Sequence, residues 1–287
     1  MKLCRFNEGK LGLVLGDEVV DVTAALRLLP PCSYPLPEYD LLIANLEAIR
    51  GEVQKLASAA GAERHPLASL RLLSPVANPG KVVAAPVNYL KHLEEAREDK
   101  AIHHQNQIGE IQRVGMFLKA TSSVEGPSAG VKIARPDRRN DHEIELAVII
   151  GKAGRNIAAA NALDHVAAYC IGLDMTVRGP EERSMRKSPD GYTVLGPWLT
   201  TPDEIADPAG LELVITVNGE VRQRANTRDL IMTVPQLIEF ASSFYTLKPG
   251  DVLLTGTPEG VSQVFPGDRM VAEIEGLGRM EVGIHAD

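Results

Sequence analysis

Cysteine and positive charge are both scarce in this chain of 287 residues. Its three cysteines, Cys4, Cys32 and Cys170, are odd in number and far apart, which excludes a disulfide framework and the paired spacing of a zinc site. We therefore expect a reducing, cytoplasmic location. The formal net charge of -8 argues against a nucleic-acid surface, where lysine and arginine supply most of the affinity, so no nucleic-acid partner is expected.

Long apolar runs are also missing. No run approaches the length of a membrane span, and the polar residues NEGK at positions 7–10 interrupt the first apolar stretch. We expect neither a membrane-spanning segment nor a signal peptide. The sequence has no GxGxxG fingerprint and no repeated βα unit, which argues against a doubly wound sheet. With 44% hydrophobic and 24% charged residues, the composition is typical of a globular protein with a sizeable core.

The apolar segments divide the chain into two parts. Residues 1–75 are predicted to form a small leading α/β module with a hairpin that turns at Gly16 and Asp17, a helix over residues 39–60, and a linker or edge strand at residues 70–75. In residues 76–287, strand patterns dominate from residue 114 onward and one helix is expected near residues 233–243. The predicted fold class is α+β and rich in strands.

Residues 88–113 interrupt the apolar pattern with a polar, charged segment, NYLKHLEEAREDKAIHHQNQIGEIQR. We predict an exposed helix that runs into a long loop, and such a segment inside a globular domain is often a lid. The tandem histidines His103 and His104 could bind a metal, but in a polar loop we interpret them as solvated.

Two glutamates stand among apolar residues in the strand-like stretch DHEIELAVIIG. Because strand side chains alternate, Glu143 and Glu145 point to one face, and His142 points to the other. Adjacent carboxylates repel, so one takes up a proton or a cation lies between them. Asp174, in the apolar stretch AYCIGLDMTVR, supplies a third carboxylate, and such oxygen donors suit Mg²⁺ or Mn²⁺. A solvent-facing strand edge is the alternative, and the sequence alone does not bring the two strands together.

Six segments after residue 140 follow, in order, the motifs of a known family. They are HEIELAVIIGK, GLDMTVR, KSPDGYTVLGPW, NGE, LKPGDVLLTGTPEGV and PGDRMVAEIEGLG, and NYLKHLEE upstream matches the pattern NYxxHxxE. Residues 70–287 therefore resemble the fumarylacetoacetate hydrolase family. The resemblance implies a mixed β-roll catalytic domain over residues 76–287 with a lid at about residues 88–113, a homodimer, and one Mg²⁺ or Mn²⁺ per subunit.

The resemblance also implies roles for single residues. It makes the metal ligands the same three carboxylates that the strand pattern singles out: Glu143, Glu145 and Asp174. It implies that the catalytic residues are His92, Glu95 and Lys187. It implies substrate contacts for four more residues, Arg178, Thr257, Lys119 and Gly256.

The residues themselves leave alternatives open at these positions. His92 and Glu95 are three apart, so on a helix they share a face, where the carboxylate raises the basicity of the imidazole. An incidental pair on an exposed helix is the alternative. Lys187 could hold an anionic substrate, whereas we interpret Arg183 and Arg186 beside it as part of a solvated basic loop.

Several positions depart from the family pattern. Residues 85–87 (APV) replace the usual glycine before the NY segment, and residues 97–113 lack the usual proline-rich run. Glu181 stands where some acylpyruvate-cleaving members have glutamine, and a carboxylate there disfavours an anionic substrate unless it is protonated or paired. The GTPEG stretch at 256–260 is not a P-loop; it is predicted either to bring N–H groups close to a small anion or simply to end a strand.

Three functional hypotheses follow. The first is a metal-dependent hydrolase of C–C bonds in 2,4-dioxo acids such as acylpyruvates, fumarylpyruvate or maleylpyruvate in aromatic catabolism, in which His92 and Glu95 deprotonate a water and the metal and Lys187 stabilise the pyruvate enolate. The second keeps the metal and the small anionic 2-oxo acid but decarboxylates oxaloacetate, or isomerises or hydrates a 2-oxo-dienoate. The third is a catalytically silent metal binder, which is disfavoured because the dyad and Lys187 are all present.

Overall fold

The computed structural model describes residues 1–99, 102 and 111–286. Strands of this part of the chain are numbered β1 to β20 in chain order: Lys2–Phe6, Lys10–Leu15, Glu18–Asp21, Arg64–Pro66, Leu72–Leu73, Val82–Ala84, Phe117–Lys119, Val124–Glu125, Val131–Lys132, Asn140–His142, Ile144–Ile150, Val166–Asp174, Thr176–Val177, Thr193–Thr200, Glu212–Val217, Glu220–Asn226, Val252–Leu254, Ser262–Gln263, Arg269–Ile274 and Gly278–His285. Its α-helices are numbered α1 to α6: Leu41–Ala44, Leu46–Ser58, Leu90–Glu98, Ile111–Val114, Arg183–Arg186 and Val234–Phe244.

The largest sheet runs in the order β4-β3-β2-β1-β14-β12-β11-β17-β6-β7, with β5 added to β1 and β8 added to β14. Its centre is antiparallel, and β17 and β6 pair in parallel. The leading segment extends this sheet because β1 pairs with β14, with Lys2 opposite Thr200. A second sheet has the order β16-β15-β19-β20-β9, and a third, small sheet has the order β13-β10-β18.

Strand β11 is buried on both faces, and this is what positions the site. All seven of its residues are buried. Ile144, Leu146 and Val148 belong to a core that includes residues of β15, β19, β20 and α6. Ala147 and Ile149, on the same face as the glutamates, belong to a second core with residues of β1, β2 and α2. A carboxylate on this strand therefore lies inside the protein, away from bulk water.

Several predicted elements are confirmed, including the α+β, strand-rich class. The hairpin at Gly16 is β2–β3, and the predicted helix near 233–243 is α6, which begins with a capping box between Thr233 and Gln236. The helix predicted over residues 39–60 is divided at Asn45 into α1 and α2. The polar segment begins with a helix, α3, but most of its loop, with His103 and His104, lies outside the described residues. Within the described residues, no helix is long and apolar enough to cross a bilayer.

Candidate active site

Three buried carboxylates form the centre of the site. Glu143, Glu145 and Asp174 each contribute one oxygen to a group whose members all lie within 4.8 Å of one another. The register of β11 on β12 brings them together, because Glu145 lies opposite Gly172, two residues before Asp174. The backbone N–H of Asp174 also donates to the carbonyl of Glu143 at 2.9 Å. The structure thus joins the two strands that the sequence left apart.

Two of these carboxylates are matched by buried cations. The Nζ atom of Lys187 lies 2.6 Å from Oε2 of Glu143 and 2.6 Å from Oδ2 of Asp174. Lys119 donates to Oδ1 of Asp174, and Arg178 donates to Oε1 of Glu143 at 2.8 Å. Burial alone raises the pKa of Glu143, but the nearby Lys187 and Arg178 outweigh burial and hold that pKa well below its usual range.

Glu145 is the carboxylate without a matching cation. Its Oε2 accepts the backbone N–H of Gly256 at 2.6 Å, and no lysine or arginine in the described part of the chain forms an ion pair with it. Burial, followed by the charges of Asp174 and Glu143, raises the pKa of Glu145. A divalent cation among the three carboxylates relieves this repulsion, and an all-oxygen donor set suits Mg²⁺ or Mn²⁺. The residues therefore fit such a metal.

The predicted base dyad lies on α3. Nδ1 of His92 is 2.8 Å from Oε2 of Glu95, three residues later on the same helix face. His92 is only 3% exposed, whereas Glu95 is 27% exposed. His92 also contributes to the lowered pKa of Glu143, which places the imidazole within electrostatic reach of the carboxylates. The imidazole therefore does not lie on an exposed face of the helix.

One loop connects the dyad to the carboxylates. The backbone N–H of Gly256 donates to Glu145, and that of Gly260, four residues later, donates to Oε1 of Glu95 at 2.9 Å. Both glycines have positive φ, 99° and 94°. A Cβ on Gly260 would lie 2.0 Å from the carbonyl oxygen of Arg222. Only glycine suits these two positions.

Thr257 holds this loop against β11. Its hydroxyl donates to the carbonyl of Ile144 at 2.8 Å and accepts from Nε2 of Gln223 at 2.8 Å. Gln223 also donates to the carbonyl of Pro258 at 2.7 Å and accepts from the N–H of Ile144. Because the hydroxyl hydrogen of Thr257 is used inside the protein, the hydroxyl is not a donor for a substrate carboxylate in this arrangement.

Sequence reasoning missed Gln223, Asp141 and Arg139. Gln223 is a buried residue in the mostly exposed strand β16, and no motif marks it. Asp141 accepts from Arg178 at 2.8 Å and from Arg139 at 2.7 Å, so it fixes the guanidinium that contacts Glu143. His142 points away from the carboxylates, as predicted. Its two ring nitrogens lie 3.1 Å from Gln223 and 2.9 Å from Ser262, and burial lowers its pKa.

The interpretation of Arg183 and Arg186 as solvated is wrong. The Arg186 guanidinium is buried and donates to the carbonyls of Glu181 at 2.9 Å and Val177 at 3.1 Å. Arg183 is half-buried. The short helix α5 turns both side chains inward, which no periodic pattern in four residues could reveal.

The carboxylate of Glu181 is paired, which is one of the two conditions under which it would not disfavour an anionic substrate. Both of its oxygens accept from the Arg138 guanidinium, at 2.9 and 2.6 Å, and this pairing lowers the pKa of Glu181 to about 2. The third guanidinium nitrogen of Arg138, Nε, donates to the carbonyl of Arg178 at 3.1 Å. The charge of Glu181 is thus neutralised rather than directed at a substrate.

Comparison with known proteins identifies relatives of this chain. Residues 81–285 match the family model described as fumarylacetoacetate (FAA) hydrolase C-terminal. The chain is 58% identical to a maleylpyruvate hydrolase of Aquipseudomonas alcaligenes, over 100% of both chains. It is 34% identical to an oxaloacetate tautomerase of Xenopus laevis, over 97% of this chain and 88% of that one.

A solved structure is similar to this chain in fold. The crystal structure of a maleylpyruvate hydrolase from Sphingobium sp. SYK-6 in complex with manganese (II) ion and pyruvate is 41% identical, with a TM-score of 0.84 over 100% of this chain and 99% of that chain. The expected fold is therefore confirmed over the whole length. The chain belongs to the fumarylacetoacetate hydrolase family.

Proposed function

We propose that this protein is a divalent-metal-dependent hydrolase that cleaves a C–C bond in 2,4-dioxo acids of the maleylpyruvate type, in the breakdown of aromatic compounds. One observation carries the proposal: the loop at 256–260 holds a carboxylate of the buried trio at one end and the carboxylate of a histidine dyad at the other. Such an arrangement brings a metal site and a water-activating base to one place. The similarity to maleylpyruvate hydrolases supports the substrate class.

Glu143, Glu145 and Asp174 are the residues that would hold Mg²⁺ or Mn²⁺. When bound, such an ion acts as a Lewis acid that stabilises negative charge on the oxygens of the substrate. The protein adds its own positive charge at the same place through Lys187, Lys119 and Arg178, which surround the trio. We propose that Gly256 and Thr257 complete the substrate pocket through the backbone of their loop.

His92 performs the proton transfers in this proposal. Its Nδ1 is held by Glu95, so the other ring nitrogen takes a proton from a water molecule. The resulting hydroxide adds to the acyl carbonyl carbon, C4 of the substrate. The C3–C4 bond then breaks, its electron pair goes to C3, and His92 returns the proton there. One water is consumed, and the products are the acid from the acyl half and pyruvate.

Burial of His92 favours this role, because a buried imidazole with a carboxylate partner is oriented and exchanges few protons with bulk water. The oxaloacetate tautomerase among the relatives supports a second candidate, enolisation of oxaloacetate at the same site. That reaction moves a proton but consumes no water, and the dyad favours the reaction that does.

The experiment uses purified protein stripped of metal and then supplied with Mg²⁺, Mn²⁺ or chelator. Loss of the enol absorbance of maleylpyruvate and release of pyruvate are followed together, with oxaloacetate as the second substrate. We expect metal-dependent cleavage of maleylpyruvate that exceeds turnover of oxaloacetate. Turnover of oxaloacetate alone would replace the proposal by the second candidate, and no turnover despite metal binding would leave a silent binder.

We also propose a homodimer, a cytoplasmic location, and a lid function for the segment that begins with α3. All three cysteines are free, and Cys4 and Cys170 are buried, in keeping with a reducing compartment. Residues 1–75 act in this proposal as an accessory module that covers one face of the central sheet. Light scattering on the purified protein measures the number of subunits.

A further inference from the structure

Arg183 lies beside the carboxylate site without belonging to its ion pairs. Its guanidinium carbon is 5.5 Å from the centre of the Phe117 ring, and Nζ of Lys187 is also 5.5 Å from that centre. The two cations therefore share one aromatic ring. Arg183 is close enough to Glu143 and Asp174 for their charges to affect its pKa.

The other cations of the site already have partners. Lys119, Lys187 and Arg178 form ion pairs with the carboxylates. Arg186 donates to two backbone carbonyls. By contrast, the side chain of Arg183 has neither an ion pair nor a hydrogen bond within the described residues, and burial lowers its pKa. A half-buried guanidinium without an ion pair or a hydrogen bond is costly, and an anion offsets that cost.

The acidic residues next to Arg183 in the sequence do not pair with its guanidinium. Both oxygens of Glu181 accept from Arg138. Glu182 precedes α5, and its side chain accepts the N–H of Ser184 at 2.7 Å. The planar guanidinium of an arginine that packs on an aromatic ring keeps its N–H donors at the edge, where a carboxylate can bind with both oxygens.

We infer that Arg183 binds the second carboxylate of a dicarboxylate substrate and so selects acylpyruvates whose acyl half is itself an acid. This rests on the proposed hydrolase function. The carboxylate trio, together with Lys187, Lys119 and Arg178, forms the proposed metal centre, so the pyruvoyl end of the substrate belongs there. Arg183 shares the Phe117 ring with Lys187 but takes no part in those ion pairs, so it is left for the anion at the other end of the substrate.

The test compares maleylpyruvate, which has a distal carboxylate, with acetylpyruvate, which has a methyl group there. The first variant, Arg183→Met, keeps the packing on Phe117 but removes the charge. The second, Arg183→Lys, keeps the charge but lacks the planar guanidinium that can bind both oxygens of a carboxylate. Arg155→Met is the matched control, because Arg155 is exposed and outside the site. The thermal midpoint of each variant is measured to establish that it folds.

We expect Arg183→Met to lower the ratio of kcat/KM for maleylpyruvate to that for acetylpyruvate by about tenfold to a hundredfold, mostly through KM. Arg183→Lys recovers part of that ratio, and Arg155→Met leaves it unchanged. An equal fall for both substrates, or no change for either, would overturn the inference while the hydrolase function stands. Failure of the wild-type protein to cleave either substrate would overturn the proposed function and the inference with it.

Discussion

The carboxylate of Glu95 lies between Nδ1 of His92, at 2.8 Å, and the backbone N–H of Gly260, at 2.9 Å. Each oxygen therefore has its own donor, which fixes the plane of the carboxylate and, through it, the imidazole ring. Because the same loop also holds Glu145 through Gly256, a displacement of the loop disturbs the base and the metal site together. The same loop therefore supports both the proposed base and the proposed metal site.

Gly260→Ala tests whether the loop supports the base and the metal site together. Gly260 has φ of 94°, and a Cβ there would meet the carbonyl oxygen of Arg222 at 2.0 Å, so the loop has to move. We expect kcat for maleylpyruvate to fall at least about tenfold and the free energy of unfolding to fall by about 1–3 kcal/mol. Gly219→Ala is the control, since Gly219 also has positive φ, 85°, but nothing within 4 Å of its Cβ position. A loss of stability with unchanged kcat in both variants would contradict the prediction.

Glu95→Gln tests the dyad. The amide keeps the shape of the side chain but loses the negative charge that holds Nδ1 of His92. We expect kcat to fall by about a hundredfold or more, because general-base catalysis contributes about 10²–10⁴. The affinity for Mn²⁺, measured by calorimetry, is expected to stay within about twofold, since Glu95 is not a predicted ligand. Glu94→Gln, an exposed neighbour on the same helix, is the control and should alter neither quantity.

Glu145→Gln tests the metal site without relying on turnover. Glu145 is the carboxylate whose charge has no cation partner, so its loss removes a ligand and also removes repulsion from Asp174 and Glu143. We expect the dissociation constant for Mn²⁺ to rise at least about a hundredfold. In chelator, the variant should unfold at a temperature equal to or above that of the wild-type protein. Unchanged Mn²⁺ affinity would exclude Glu145 as a ligand.

Gln223→Leu tests the support beneath the loop. Leucine cannot replace the hydrogen bonds to Thr257, Pro258 and Ile144, and it leaves buried polar groups without partners. We expect the free energy of unfolding to fall by about 2–4 kcal/mol and kcat to fall as well. The control, Gln236→Leu, breaks the capping box of α6 and should cost about 1 kcal/mol with no change in kcat. Equal kinetics in the two variants would assign Gln223 a purely structural role.

The pairing of Glu181 with Arg138 predicts a pH dependence. The pKa of Glu181 is lowered from 4.5 to about 2 in the folded protein, so the pairing stabilises the folded state above pH 4.5. That contribution is lost as the pH falls from 4.5 towards about 2. Glu181→Gln should therefore be less stable than the wild-type protein at neutral pH, and urea unfolding at about pH 3 should find a smaller difference. A difference that grows on acidification would contradict the pairing.

The carboxylate trio could be predicted because its signals are local. Strand alternation places Glu143 and Glu145 on one face, and Asp174 is an acidic residue in another apolar strand. The register that joins the two strands depends on packing of both faces of β11, which no single segment encodes. The same holds for β1, whose Lys2 lies opposite Thr200, almost two hundred residues later in the chain.

Residues that support the site were beyond prediction for a different reason. Gln223 and Asp141 act through contacts with backbone or with other side chains, and neither belongs to a motif with its own chemistry. Arg186 is in a charged segment whose composition is typical of a solvated loop, and only the folded chain turns it inward. Site residues that act directly leave a pattern in the sequence, whereas those that hold them in place usually do not.

Water is added to the substrate in the proposed reaction, and its oxygen can be followed. Maleylpyruvate is incubated with the Mn²⁺-loaded protein in ¹⁸O-enriched water, and the products are analysed by mass spectrometry, with a chelated sample as the blank. We expect pyruvate together with maleate that carries ¹⁸O in the carboxylate formed from the acyl carbon. Maleylpyruvate recovered intact, or cleaved to an acid without the label, would overturn the proposed hydrolysis.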